Sequence, residues 1–320
     1  MDLTRAGAMN ILDLILDAGF LAAAIRLTVP LLLGTLGEMI CERSGVVNLG
    51  IEGMMLAGAF VGFLAASVFG SLWFGVFAAV LVGGVLGFVL AVLVVHLRID
   101  QTVAGIGMTM AITGLVYFTY RLVYFESTMP SIKGFATIPI PLLSKIPIVG
   151  DALFNQYALT YLAYLVIPAC ALFLSRTPAG LSLRTVGENP EAAAGSAIKV
   201  MPVRTIALMV AGGFAALAGA YLSLAIFGSF TFGVISGRGW ICLALVVLGR
   251  WNPVGCTLAA LLFGGVDAFQ LRMQTSGESQ IPFSVFVALP YIATLVAMIV
   301  SSRRASAPKS LMHPYDPEER

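Results

Sequence analysis

Seven side chains set within otherwise apolar stretches carry the hydrogen-bonding chemistry of this sequence: Asn48, Glu52, Gln101, Thr102, Thr109, Asp267 and Gln270. Amides, hydroxyls and carboxylates offer donors and acceptors to a polar solute. Asp267 and Gln270 stand three apart and share a helical face. That pair reads either as a contact for a solute or as a bridge between two helices. None of this amounts to catalysis. No GxxxxGK[ST] loop is present, and Lys133, Lys145, Lys199 and Lys309 follow no glycine-rich turn. HExxH and GxSxG are absent as well. Cys41, Cys170, Cys242 and Cys256 form no CxxC pair, and the histidines are only His96 and His313. Packed thiols are expected, with no disulfide framework, metal or cofactor.

The elements that must position these groups are membrane helices. Of 320 residues 59% are hydrophobic and 11% charged, with a mean hydropathy of +0.97; soluble domains carry roughly 25% charged residues. A net charge of +2 gives no reason to expect nucleic acid. Spans of about 20 apolar residues are read at 18–40, 49–68, 72–97, 102–125, 157–175, 205–227, 239–249, 253–272 and 283–302. The run 239–249 is too short to cross unaided and reads as a half-helix, allowed where its ends are buried or face a water-filled cavity. The expected fold is all-α: one transmembrane domain over 1–320, a polytopic bundle of eight to nine membrane helices with a broken or half helix. Residues 1–17, with Asn10, Asp13 and Asp17 on one face, read as an interfacial segment.

The segment Gly37–Gly53 places Glu38, Glu42, Arg43, Asn48 and Glu52 in this apolar context, where a central charge costs roughly 2.5–3.5 kcal/mol. Glu42 and Arg43 read as solvated in a turn between spans. Asn48 and Glu52 are expected to support or line the bundle, beside a broken helix that exposes backbone groups. The pairs Gly58/Gly62 and Gly83/Gly87, and Gly212, Gly213, Gly219, Gly264 and Gly265, mark close-packed seams within the bundle or at a dimer interface.

Between spans, RTVGENPEAAAGSAIKVMP (184–202) reads as a short helix with polar flanks. Asn189 is a helix cap, Pro190 suits the first turn, Glu191 complements the positive end, and Ala192, Ala193 and Ala194 follow with little bulk. Such a knob fits a groove on another protein; it is otherwise an ordinary capped loop helix. With 176–204 taken as cytoplasmic, inner segments hold Arg43, Arg98, Arg176, Arg184, Lys199, Arg204, Arg250, Arg303, Arg304, Lys309 and Arg320, including a tail at 303–320. Outer segments hold Arg5, Lys133, Lys145, Arg238 and Arg272. The bias fits the positive-inside rule and places the N-terminus outside if all nine runs cross. The proline-rich 126–156 then lies outside, as a plain loop or as a surface for a binding protein.

GENPEAAAGSAIKV resembles the cytoplasmic coupling loop of permease subunits in ATP-binding cassette importers of the ribose and branched-chain amino acid class. ERSGVVNLGIEGMMLAGAF, Ser236–Gln270 and the tail HPYDPEER are similar to the shorter of two paired purine nucleoside permeases, over most of 35–320. The resemblance implies a multi-pass protein of the cytoplasmic (inner) membrane, not an enzyme, that imports a nucleoside-like solute by alternating access. It implies contact with an ATPase subunit through Arg184, Gly187, Glu188, Asn189, Pro190, Glu191, Ala192, Ala193 and Ala194. It also implies a second, longer permease and a substrate-binding lipoprotein of the basic membrane protein type. A nucleoside needs aromatic faces, for which Phe60, Tyr221 and Phe269 are candidates. Thr109 stands where the family often has asparagine, which leaves the cargo open. A sugar or branched-chain amino acid importer, an ion-coupled transporter keeping Glu52 and Asp267, and a membrane scaffold are the competing readings.

Overall fold

The computed structural model describes residues 17–125, 131–147, 149–276, 292 and 307–316. Among them seven helices are long and apolar enough to cross a membrane. Helix α1 (Ala18–Glu42) is capped by Asp17, whose carboxylate accepts the Gly19 N–H and pairs with Arg272. Helices α2 (Ile51–Phe69), α3 (Leu72–Ala91, prolonged by a π-turn to His96) and α4 (Gln101–Tyr124) follow. Then come β1 (Thr137–Pro139), α5 (Val149–Phe154) and β2 (Asn155–Tyr157), the strands pairing antiparallel. Helix α6 (Ala158–Arg176) leads to the hairpin of α7 (Pro178–Glu188) and α8 (Pro190–Gly195). Helix α9 (Val200–Tyr221, prolonged by a π-turn to Ile226), α10 (Arg238–Leu248) and α11 (Pro253–Ser276) complete the described elements. The expected span 283–302 falls outside the described residues apart from residue 292, as do residues 1–16 and the ends of the tail.

Helix α9 is the centre, packed against α1, α2 and α3, with α11 against α1. Glycine permits the approach. A Cβ at Gly219 would sit 1.8 Å from the Met55 carbonyl oxygen, one at Gly58 2.1 Å from that of Ala216, and one at Gly83 2.2 Å from that of Gly212. These seams lie within this one chain. Gly265 meets nothing within 4 Å and marks no seam within this chain.

The link from α1 to α2 is not a surface turn. Val47 N–H donates to Gln101 Oε1 at 3.0 Å, and Thr109 Oγ1 reaches the Leu49 carbonyl at 3.4 Å. From Gln101 to Thr109 a helix rises about 12 Å, so residues 46–50 climb along α4 and α2 begins inside the bundle. Helix α10, eleven residues long, spans only about 16 Å. It starts beside Glu52 and leads to Trp251, which meets Glu42 at the foot of α1. The irregular stretch 227–237 leads from the end of α9 down to the start of this half-helix.

Two expectations are corrected here. Glu42 is not solvated: it is 3% exposed and its Oε2 accepts the Trp251 indole N–H at 2.6 Å. Beside it, Arg43 Nε donates to the Trp251 carbonyl at 2.9 Å. The turn after α10 folds back onto α1 and shields Glu42 from water, while Arg43 stays half-buried at its edge. Arg238, assigned to an outer loop, lies at the start of α10 with its side chain 16% exposed, because that helix begins inside the bundle.

Candidate functional site

Two places in the fold gather the singled-out residues. The first lies where α2 and α10 begin. Glu52 Oε1 accepts the Gly237 N–H at 2.9 Å and its Oε2 accepts the Gly239 N–H at 2.7 Å. The first N–H groups of a helix have no partner within it and carry its positive pole; here a carboxylate from another helix takes them. Gly237, at φ +80°, makes the bend that turns these amides toward Glu52, a conformation strained for other residues. Next in sequence, Arg238 Nη2 meets Asp267 Oδ2 of α11 at 3.3 Å. Residues 237–239 thus bring Glu52 and Asp267 to one place. Thr109 is also near: a Cβ on Gly53 would lie 2.9 Å from its Cα. Gln270 is half-buried one turn beyond Asp267.

Asn48 and Gln101 hold the re-entrant segment, and Thr102 lies in the capped first turn of α4. Asn48 is fully buried; its N–H donates to Glu38 Oε1 at 2.8 Å and its Oδ1 accepts the Gly50 N–H at 3.1 Å. Gln101, 6% exposed, is occupied by Val47. Thr102 is half-buried at the start of α4, its N–H bonded to Asp100 Oδ1 at 2.9 Å.

Aromatic side chains cluster above Glu52. Phe230 packs edge-on to Phe60 at 5.2 Å between ring centroids, Phe232 edge-on to Tyr120 at 4.9 Å, and Phe232 stacks on Tyr117 at 4.1 Å and 25°. Phe60 and Tyr117 stand about 12 Å further along α2 and α4 than Glu52 and Thr109. Of the three aromatic candidates named from sequence, Phe60 belongs here. Tyr221 is buried in the core with its hydroxyl on Thr160 at 2.9 Å, and Phe269 packs with Phe20, Leu27 and Ala268. Phe230, Phe232, Tyr117 and Tyr120 were missed. For Phe230 and Phe232 the available signal was their place in the glycine-containing, non-helical stretch after α9, where aromatic bulk has no helical face to serve; Tyr117 and Tyr120, inside α4, gave none.

The second place is the α7–α8 hairpin. Thr177 caps α7, its Oγ1 accepting the Gly180 N–H at 3.0 Å, and Pro178 occupies the first turn. Asn189 ends α7 and caps α8, its Oδ1 accepting the Ala192 N–H at 2.9 Å. Gly187 lies on the bundle, where a Cβ would sit 2.1 Å from the Arg43 carbonyl oxygen. Ala193 is buried among Val186 and Val200, while Glu188, Asn189, Glu191 and Ala192 are exposed; Arg184, Pro190 and Ala194 are half-buried. The sequence pattern gave α8 and its cap; α7, as a separate amphipathic helix, was missed. A polar cleft of about 460 Å³ opens at the same end, lined by Arg43, Gly249, Arg250, Asn252, Val254 and Gly255.

Comparison with known proteins gives the family and the fold. Residues 20–301 match the family described as branched-chain amino acid transport system, permease component. TsgC13 of Haloferax volcanii, provisionally named a glucose ABC transporter permease protein, is 36% identical over 94% of this chain and 98% of its own length. The guanosine ABC transporter permease protein NupQ of Bacillus subtilis is 35% identical over 96% of this chain and 98% of its own. Among solved structures, a transporter described as of the metal-chelate ABC type in an inward-facing conformation aligns with a TM-score of 0.50. It is 20% identical, over 94% of this chain and 91% of that one, a likeness of fold.

Proposed function

This chain belongs to the permease-component family of branched-chain amino acid transport systems and is the multi-pass membrane subunit of an ATP-driven importer, and from that premise we propose that its cargo is a nucleoside. An ATPase subunit and a substrate-binding protein are its partners by membership of that class. The chain has no phosphate-binding loop, so the ATPase supplies the energy and this subunit does no chemistry on the solute. Its one transmembrane domain pairs with a second, longer permease, and the binding lipoprotein delivers cargo at the end opposite the α7–α8 hairpin.

The observation that carries the cargo is the Tyr117–Phe232 stack. Tyr117 is 48% exposed on α4, beyond the Glu52, Thr109 and Asp267 cluster. A base can stack on such faces while ribose hydroxyls meet hydroxyl and carboxylate groups. The likeness to the guanosine permease points the same way. A free carboxylate on the cargo is disfavoured: half-helix N-termini in membranes receive anionic substrate groups, and the start of α10 is already taken by Glu52. That argues against an amino acid. Glucose is the second reading, on the strength of the similarity to TsgC13.

Coupling runs through α8. Its exposed polar knob at Glu188–Ala192, anchored by Ala193 and Gly187, docks into the ATPase and moves with it. The two permeases then rock to alternate access, and the cavity binds weakly because a solute shifts such an equilibrium only by its differential affinity for the two states. The test is ATPase activity of the reconstituted importer with guanosine, other nucleosides, glucose and leucine. Stimulation by nucleosides supports the cargo; stimulation by glucose alone transfers it to the second reading. Uptake that survives without the ATPase and collapses with the proton gradient overturns the mechanism.

A further inference from the structure

The described tail, residues 307–316, does not trail away from the bundle. The Ser310 N–H donates to the Gly187 carbonyl at 3.0 Å and its hydroxyl donates to the same oxygen at 2.8 Å. The Met312 N–H donates to the Gly45 carbonyl at 3.1 Å. Tyr315 packs on the Val186, Ala193 and Val200 cluster beneath α8, and Asp316 pairs with Arg98 in the turn between α3 and α4. At the centre is Arg204 of α9, 2% exposed. Its Nε donates to the Ser44 carbonyl at 3.2 Å, Nη1 to the His313 carbonyl at 3.0 Å and Nη2 to Ser310 Oγ at 3.2 Å. One planar guanidinium with fixed donor directions thereby ties α9, the α1–α2 link and the tail together.

We propose that residues 307–316 are a strap that locks the α7–α8 hairpin to the foot of the bundle and forms part of the face on which the ATPase subunit acts, with Arg204 and Ser310 as its positioning residues; this rests on the docking role assigned above to α8. The physical need is plain. Helix α8 has six residues, and apart from the tail it is anchored only by one small apolar cluster and by the packing of Gly187 on the Arg43 carbonyl. A knob held so lightly would yield under load and leave the membrane helices where they were. The strap joins the Gly187 carbonyl to the Gly45 carbonyl through Ser310 and Met312. Gly45 opens the re-entrant segment, where Asn48 and Gly50 lead directly to Glu52 and the start of α10. A displacement of α8 then reaches the polar cluster through packed backbone and not through a hinge. Exposed Lys309, His313 and Pro314 lie on the outer side of the strap, beside the knob, where a docking partner meets both.

The experiment uses the whole importer in proteoliposomes: both permeases, the ATPase and the binding protein. The chain is tested intact, with Ser310→Ala, with Arg204→Lys, and with a stop after Ser306. Readouts are the ATPase recovered with the permease, the hydrolysis rate, and radiolabelled guanosine moved per ATP hydrolysed, or glucose if the intact importer takes up only that. The stop and Ser310→Ala are expected to leave the complex assembled and hydrolysing ATP while cargo per ATP falls about fivefold or more, the equivalent of one buried hydrogen bond. A merely stabilising tail would lower the amount of complex and leave that ratio unchanged, and this result overturns the proposal. Replacing 189–194 by a flexible linker separates the two readings. If that change leaves assembly and transport intact, the docking role of α8 fails and the strap with it. If it abolishes ATPase recovery while the stop after Ser306 keeps the wild-type ratio, the strap alone fails.

Discussion

Glu52 Oε2 accepts the backbone N–H of Gly239 at 2.7 Å, so the acid at the start of one membrane helix caps another far along the chain. Removing that carboxylate strands two part-buried amides, at about 1–3 kcal/mol for each lost acceptor. Glu52→Ala is therefore expected to lower the melting temperature of the purified complex by several degrees and to depress transport. Glu52→Gln keeps one acceptor oxygen and should fall between the two. A Glu52→Ala protein that melts like the wild type would remove the cap from the account.

Arg238 and Asp267 lend themselves to a double-mutant cycle. Their side chains are 16% and 20% exposed, and a part-buried charge without its partner is costly. Asp267→Asn and Arg238→Gln are each expected to destabilise by roughly 1–3 kcal/mol, with the double variant recovering much of the loss. Strict additivity in thermal unfolding would mean that the pair carries no coupling. If the double variant regains stability and its apparent KM for guanosine still rises, Asp267 also touches the solute.

The seven membrane-length helices among the described residues were legible from apolar run length alone, down to the shortness of 239–249 against the observed Arg238–Leu248. So was the cap at Asn189, because an N-cap amide followed by proline is a local signal. What stayed hidden depends on non-local return of the chain. Glu42 looked like a solvated turn residue until Trp251 was seen to fold over it. Asn48, expected to support or line the bundle, and Gln101, a solute-path candidate, both hold the backbone of a re-entrant segment whose climb along α4 no sequence period reports. Arg204 gave no sign that its partners lie in the tail.

The glycine seams predict opposite outcomes for chemically identical changes. At Gly219 a Cβ would lie 1.8 Å from the Met55 carbonyl oxygen, so alanine forces α9 away from α2. Losing that packing is expected to cost more than about 3 kcal/mol and to abolish recovery of folded protein. Gly265 of α11 has nothing within 4 Å of its Cβ position, so alanine there should be neutral or stabilising by up to roughly 1 kcal/mol through helix propensity. Fluorescence-detected gel filtration of detergent extracts reads both. Equal recovery of the two variants would contradict the close approach.

Asn189 separates a cap from a contact. Its Oδ1 holds the Ala192 N–H at 2.9 Å and its side chain is exposed. Loss of an N-cap costs about 1 kcal/mol, and in a helix as short as Pro190–Gly195 that is enough to fray the knob while the membrane helices remain. Asn189→Ala should leave the melting temperature of the bundle within about a degree and reduce cargo-stimulated ATP hydrolysis roughly fivefold. Asn189→Asp caps equally well and adds a negative charge at the positive end of the helix. If Asp restores stimulation, the residue acts by shaping α8. If Asp fails as Ala does, the amide itself is read by the ATPase. A wild-type response from Asn189→Ala would show that ATP hydrolysis is not coupled through the Asn189 end of the hairpin.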